Sequence, residues 1–226
     1  DTYRLACQAA IEREDHEIEF TPLRRKPKIL TQVSDKDVEM APMVTRVGEE
    51  VLYDGEVIDR FRGHMYGLAI DLGTTTVVMD LVDLETGRSV HVSSFENPQR
   101  FGGSDVMNRI SYDASEHGGE LQKAIASAVS KEILEMGQQH GFKRQEVYEI
   151  VVAGNSTMRE ILFKLDVQSI GQKPYKSLIE EEFLADQRPH TALVQEARRL
   201  GLRANLNTKV YRIPLIASHV GHDTTA

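Results

Sequence analysis

Between Tyr66 and Val82 an apolar run, Tyr66-Gly67-Leu68-Ala69-Ile70, meets Asp71-Leu72-Gly73-Thr74-Thr75-Thr76. A second apolar run, Val77-Val78-Met79-Asp80-Leu81-Val82, follows at once. Few architectures accept that pattern. Two β-prone runs broken by one glycine and three threonines predict strand, tight turn, strand. Gly73 lets backbone approach a ligand with no Cβ in the way. Successive N–H groups around such a turn can cradle a phosphate, and three hydroxyls can donate to its oxygens. Asp71 has the chemistry to hold the water shell of a magnesium ion. A plain hairpin with a polar turn accounts for the same residues.

The strands continue. Asp83-Leu84-Glu85-Thr86-Gly87-Arg88 reads as a turn, and Ser89–Phe95 alternates like a third strand, which makes an antiparallel meander. Asn97–Ser104 is rich in turn formers. Ser104 or Asp105 is a candidate cap for a helix over Val106–Ser115. Leu121, Ile125, Ala128, Val129, Ile133, Leu134 and Met136 recur at helical spacing and predict a helix over Glu120–His140, with Gly141 as its C-cap. Val147–Ala153 reads as a buried strand. It runs into Gly154-Asn155-Ser156-Thr157 and a helix over Met158–Leu165, a strand–turn–helix arrangement suited to anions. A βα turn with a Ser or Thr cap would look the same. Thr191–Leu200 has the spacing of a short amphipathic helix. Val210–Ala217 reads as a strand in which Pro214 marks an edge or a bulge.

The 226 residues admit one large domain or two small ones. A net charge of −8 argues against nucleic-acid binding through a basic surface. It does not argue against ATP, which is held by local dipoles and magnesium. No apolar run approaches the roughly 18 residues of a membrane span, so no membrane association is expected. With no signal peptide visible, a cytoplasmic protein is expected. The chain opens at Asp1 inside patterned sequence, and a piece of a longer protein is expected.

Ahead of the meander, Glu12–Met43 is polar, punctuated by prolines and without sustained period, which reads as a linker. Asp54-Gly55 within Val51–Ile58 is a hairpin signal. The lone Cys7 is a small buried residue or one ligand of an iron–sulfur cluster, which needs four. His16 among acids, and His219 and His222 beside Asp223, have metal-ligand chemistry but lack a defining pattern.

Asp71-Leu72-Gly73-Thr74-Thr75-Thr76 at the head of a meander resembles the first phosphate loop of the actin, sugar-kinase and heat-shock-chaperone ATPase superfamily. Within it, four further stretches resemble the reductive activators of corrinoid proteins. They are Asn97-Pro98-Gln99 with Gly103–Ile110, Val152–Met158, Pro214–Ala217 with Val220–Asp223, and Arg4-Leu5-Ala6-Cys7-Gln8. The last is similar to the end of that family's plant-type ferredoxin domain.

The resemblance implies an α/β, ribonuclease-H-like lobe of an actin-type ATPase over residues 63–226. Residues 1–12 would be a ferredoxin tail and 13–62 a linker with a short hairpin. It implies ATP, Mg2+ and, in the intact protein, a 2Fe-2S cluster with Cys7 as a ligand. The activity implied is transfer of one electron from that cluster to a Co(II) corrinoid, coupled to ATP hydrolysis. The partner is a corrinoid protein or a component of a corrinoid-dependent methyltransferase, and a homodimer is compatible.

By the same resemblance Asp71, Asn155 and Asp223 are the catalytic set, with Asp71 also holding magnesium through water. Gly73, Thr74, Thr75, Thr76, Gly154, Ser156 and Gly221 bind nucleotide. Asn97, Gln99 and Asp105 form a cleft-side or partner-contact loop, or simply a capped helix start. These 226 residues hold one phosphate loop and one lobe of the two that the superfamily uses, so this lobe alone is expected not to turn over. A small-molecule kinase of the same fold is a second reading, and a module that binds a partner without turnover is a third.

Overall fold

The computed structural model describes residues 41–215. Cys7, His16, His219, Gly221, His222 and Asp223 lie outside the described residues.

Three short strands come first: β1 (Val44–Val47), β2 (Glu50–Tyr53) and β3 (Glu56–Arg60). They pair antiparallel in that order, so the expected hairpin around Asp54-Gly55 carries a third strand. Such a sheet is too small to be stable alone and needs a packing surface. Val44 and Val51 supply it, buried against Met65 and Tyr148. Asp59 fastens the sheet down by accepting from Arg62 at 2.8 Å and from Asn205 Nδ2 at 2.6 Å.

Tyr148 Oη lies 3.4 Å from Asp59, and burial, then the Asp59 charge, push the phenol up to about 12. The unfolded phenol ionises near 10, so the unfolded chain loses its proton first as pH rises. Wild-type stability relative to Tyr148→Phe should therefore fall progressively from pH 10 towards about 12. Paired melting curves, with tyrosinate absorbance followed alongside, check this.

The main sheet opens with the expected meander: β4 (Tyr66–Leu72), β5 (Thr76–Asp83) and β6 (Ser89–Glu96). A 3₁₀ turn (Pro98–Gly102), α1 (Val106–Asp113) and α2 (Glu120–His140) follow. Then come β7 (Val147–Gly154), α3 (Ser156–Leu162), α4 (Gln168–Gly171) and α5 (Leu178–Leu184). The described chain ends with β8 (Leu193–Glu196), a 3₁₀ turn (Ala197–Leu200) and β9 (Lys209–Arg212). The six strands lie in the order β6-β5-β4-β7-β9-β8. β7 is parallel to both β4 and β9, whereas β8 is antiparallel to β9.

Strand period two puts Leu68, Ile70 and Leu72 of β4, Val77, Met79 and Leu81 of β5, and Ile150 and Val152 of β7 on one face. All are buried in the core, where Leu121, Ile125, Val129, Ile133 and Met136 of α2 meet them. Asp71, Ala69 and Gly67 point to the other face. α2 runs over the expected residues and ends on Gly141 in the left-handed conformation, its N–H donated to the Gly137 carbonyl.

Three elements differ from expectation. Thr191–Leu200 is not a helix. Leu193–Glu196 hydrogen-bond to β9, and Ala197 and Leu200 are buried by a single 3₁₀ turn. The apolar spacing that mimicked a helix comes from an edge strand, with Val194 half exposed, followed by that turn. β9 stops at Arg212, so Pro214 lies past the ladder, and the strand is interior rather than an edge. α3 starts at Ser156 and is capped by Asn155, not by a serine or threonine. Asn155 Oδ1 accepts from Met158 N at 3.0 Å.

Candidate functional site

Two strand ends meet at the site. Leu72 and Gly154 are register partners, so the turns after β4 and β7 lie side by side. Glycine is required at both. A Cβ on Gly73 would sit 2.6 Å from the Thr76 carbonyl oxygen, and one on Gly154 would sit 2.5 Å from the Leu72 oxygen. Gly154 also has φ of +150°, a conformation costly for other residues. The turns are tied together by Asn155, whose Nδ2 donates to Thr74 Oγ1 at 2.8 Å. That hydroxyl is used as an acceptor, so its own proton remains to donate.

Each carbonyl of the Gly73–Thr75 turn has a donor. Asn97 Nδ2 donates to Gly73 O at 2.8 Å, and Asn97 N donates to Thr75 O at 2.8 Å. Arg109 Nη2 donates to Thr74 O at 2.7 Å. In a trans peptide the C=O of one residue points opposite to the N–H of the next. Fixing these three carbonyls therefore also fixes the N–H groups of Thr74, Thr75 and Thr76, each directed away from the carbonyl of the residue before it. Successive N–H groups held in this way can cradle an anion. Gly73 N–H is not among them, because it closes the turn on Thr76 O at 3.1 Å.

Arg109 is fully buried under the turn. Its Nε donates to Gly103 O at 3.1 Å, and its Nη1 lies 2.8 Å from Met158 Sδ. Burial lowers its pKa and Asp105 opposes that shift. A charged guanidinium here adds positive potential beneath the donors.

The expected site residues divide as follows. Asp71, Gly73, Thr74, Thr75, Thr76, Gly154 and Asn155 come together at these turns. Asp71 and Thr75 are exposed, Thr74, Thr76 and Asn155 are half-buried, and Gly154 is buried. Ser156 is buried and its hydroxyl has no partner among the described residues. Asn97 and Gln99 are buried, so they do not form a partner-contact surface. Asn97 caps the 3₁₀ turn and braces Gly73, and Gln99 Nε2 donates to Leu121 O at 3.3 Å. Asp105 caps α1 by accepting from Asn108 N at 2.9 Å. Arg109 was not anticipated. Its signal was its place three residues after Val106 and beside Ile110, on the inward side of α1. Among the described residues no cluster of three His, Cys, Asp or Glu could hold a metal directly, and no helix is long and apolar enough to cross a membrane.

A meander continued by parallel strands, with a glycine–threonine turn at the end of its first strand, defines the lobe of an actin-like α/β fold. The chain belongs to the family described as the RACo middle region, which matches residues 66–226. It is similar to the corrinoid activation enzyme RamQ of Eubacterium limosum, 29% identical over 164 residues that cover 72% of this chain and 26% of that one. It is also similar to the solved structure of a reductive activator for corrinoid, iron–sulfur protein. There the TM-score is 0.66 and the identity 32%, over 78% of this chain and 28% of the other. The chain thus spans about a quarter of the length of these relatives.

Proposed function

We propose that this chain supplies the first phosphate-binding lobe of an ATP-dependent reductive activator of corrinoid proteins. The observation that carries the reading is the braced turn, in which Asn97 and Arg109 hold the carbonyls of Gly73, Thr74 and Thr75. The names of its relatives supply the corrinoid context.

In this reading the N–H groups of Thr74, Thr75 and Thr76 bind phosphate oxygens, and the Thr74 hydroxyl adds a donor. Asp71 orients magnesium-bound water. Gly154 gives the phosphate room, while Asn155 holds the second turn against the first. Ser156 completes the α3 end of the cradle. Gly221 belongs to the same nucleotide-binding set and Asp223 to the catalytic set. Residues 63–226 form the lobe, 13–62 the linker, and 1–12 the tail of a ferredoxin-like domain, where Cys7 is a 2Fe-2S ligand in the intact protein. When bound, that cluster supplies the electron that reduces Co(II) corrinoid on the partner protein. ATP acts by linkage, shifting the equilibrium between conformations that hold the partner differently.

Titration calorimetry tests the reading. Mg-ATP should bind the chain with a magnesium-dependent affinity, and Asp71→Asn should weaken it about tenfold, a change of roughly 1.4 kcal/mol. ATP without magnesium should bind wild type and variant alike. No heat of Mg-ATP binding to wild type would sink the proposal.

A further inference from the structure

A groove of about 980 Å3 runs along α2, away from the braced turn. One wall is α2 itself, from Gln122 to Leu134. The opposite wall is the segment after α3 and the turn at Leu200–Arg203, and Arg144 also lines it. We propose that this groove is the docking site for an acidic amphipathic helix of a partner protein. The partner's identity as a corrinoid-carrying protein rests on the functional reading above; the groove's chemistry does not.

Charge is the first argument. The whole chain carries −8, yet the groove is lined by Lys123, Lys131, Arg144, Lys164 and Arg203 against only Asp113 and Asp166. Lys131 pairs with Glu135 at 3.2 Å, and Lys164 Nζ donates to the Arg199 carbonyl at 2.6 Å. Among the described residues Lys123, Arg144 and Arg203 form no ion pair. A local excess of cations on an acidic protein steers an acidic surface to that place and repels it elsewhere.

Spacing separates a partner helix from a small anion. Lys123 and Lys131 are eight residues apart on α2, roughly 12 Å along its axis. Cations strung over that length do not converge on one phosphate. They match a row of carboxylates on one face of a helix. Of the apolar lining, Leu134 is 54% exposed on α2 and Leu165 is half-buried, above a floor of buried Ala126, Ile161 and Leu200, so an apolar side chain of the partner helix has a contact at each wall. Among the described residues no strand lines the groove, so docking would proceed through side chains, as a helix in a groove, and not by strand addition.

A labelled peptide helix with glutamates on one face and leucines on the other serves as the probe. Fluorescence anisotropy should show binding to the full chain that weakens as salt rises. Two variants should each weaken it at least tenfold: the triple variant Lys123→Glu, Arg144→Glu, Arg203→Glu, and the single variant Leu134→Asp. Both should keep the wild-type melting temperature and Mg-ATP affinity. Equal binding to wild type and variants, no peptide binding, or displacement of the peptide by inorganic phosphate would each overturn the proposal. A corrinoid iron–sulfur protein should displace the peptide. If the peptide binds as expected but that protein does not displace it, the groove stands and the corrinoid partner is refuted for it.

Discussion

Replacing Glu160 with glutamine should cost the fold about 3–5 kcal/mol, the usual result of removing one partner from a buried charged group. Glu160 is 1% exposed and lies between two guanidiniums that are fully buried, Arg159 and Arg212. Arg212 Nη1 donates to Glu160 Oε2 at 2.6 Å and Arg212 Nη2 to the Thr191 carbonyl at 2.7 Å. Arg159 Nη1 donates to the Ile213 carbonyl at 2.9 Å, and its Nη2 lies 3.7 Å from Glu160 Oε1. Two cations share one carboxylate. Burial, and then the Arg212 charge, pull Arg159 down to about 9, which marks it as the poorly compensated member. Burial likewise raises the Glu160 carboxyl, against the pull of both arginines.

Glutamine keeps the shape but leaves two neighbouring cations with no counter-charge. Arg159→Met should cost less. It removes one of the two like charges and keeps the apolar stem, and its chief penalty is the unpartnered Ile213 carbonyl, about 1–3 kcal/mol. Denaturant melts of the two variants should therefore differ in that order. A Glu160→Gln protein as stable as Arg159→Met would mean that the carboxylate does not hold the cluster together.

The same arginines show where the sequence was silent. The meander and α2 were legible because their signals are local: alternation over seven or eight residues, and an apolar stripe along one helix closed by Gly141. Gly73 and Gly154 were legible as turn residues for the same reason. β8 was not, because Leu193–Glu196 become a strand only when β9, thirteen or more residues later, offers its edge. Arg109, Arg159 and Arg212 read as surface charges on hydropathy. Each is buried because main-chain carbonyls from distant turns, at Thr74, Ile213 and Thr191, arrive to accept its protons. Asn97 was visible as part of a loop, but its bond to Gly73 spans 24 positions and left no local trace. The candidate site was therefore half readable. The turns that would touch a phosphate and Asn155 between them were apparent, and the bracing by Asn97 and Arg109 was not.

That division makes Arg109 the sharper test of the site. Arg109→Met should lower stability by about 2–4 kcal/mol, because the half-buried carbonyls of Thr74 and Gly103 lose their donor and each such loss costs roughly 1–3 kcal/mol when water cannot replace it in full. Methionine has a similar reach and suits the apolar side of the pocket beside Met158, so little of the loss should come from a cavity. The consequence for ligand binding is separate. Without Arg109 the Thr74 carbonyl loses its donor among the described residues, and the peptide that carries the Thr75 N–H is no longer held in one orientation. Mg-ATP affinity should fall at least about tenfold at temperatures where the variant is still folded. Arg109→Lys should recover part of the stability and less of the affinity. An ammonium can reach one carbonyl, but it lacks the planar fork that bonds Thr74 and Gly103 together. Calorimetry and melting on the same samples separate the two effects. Reduced stability with unchanged affinity would make Arg109 a core residue only, and the fixed row of N–H donors would lose its support.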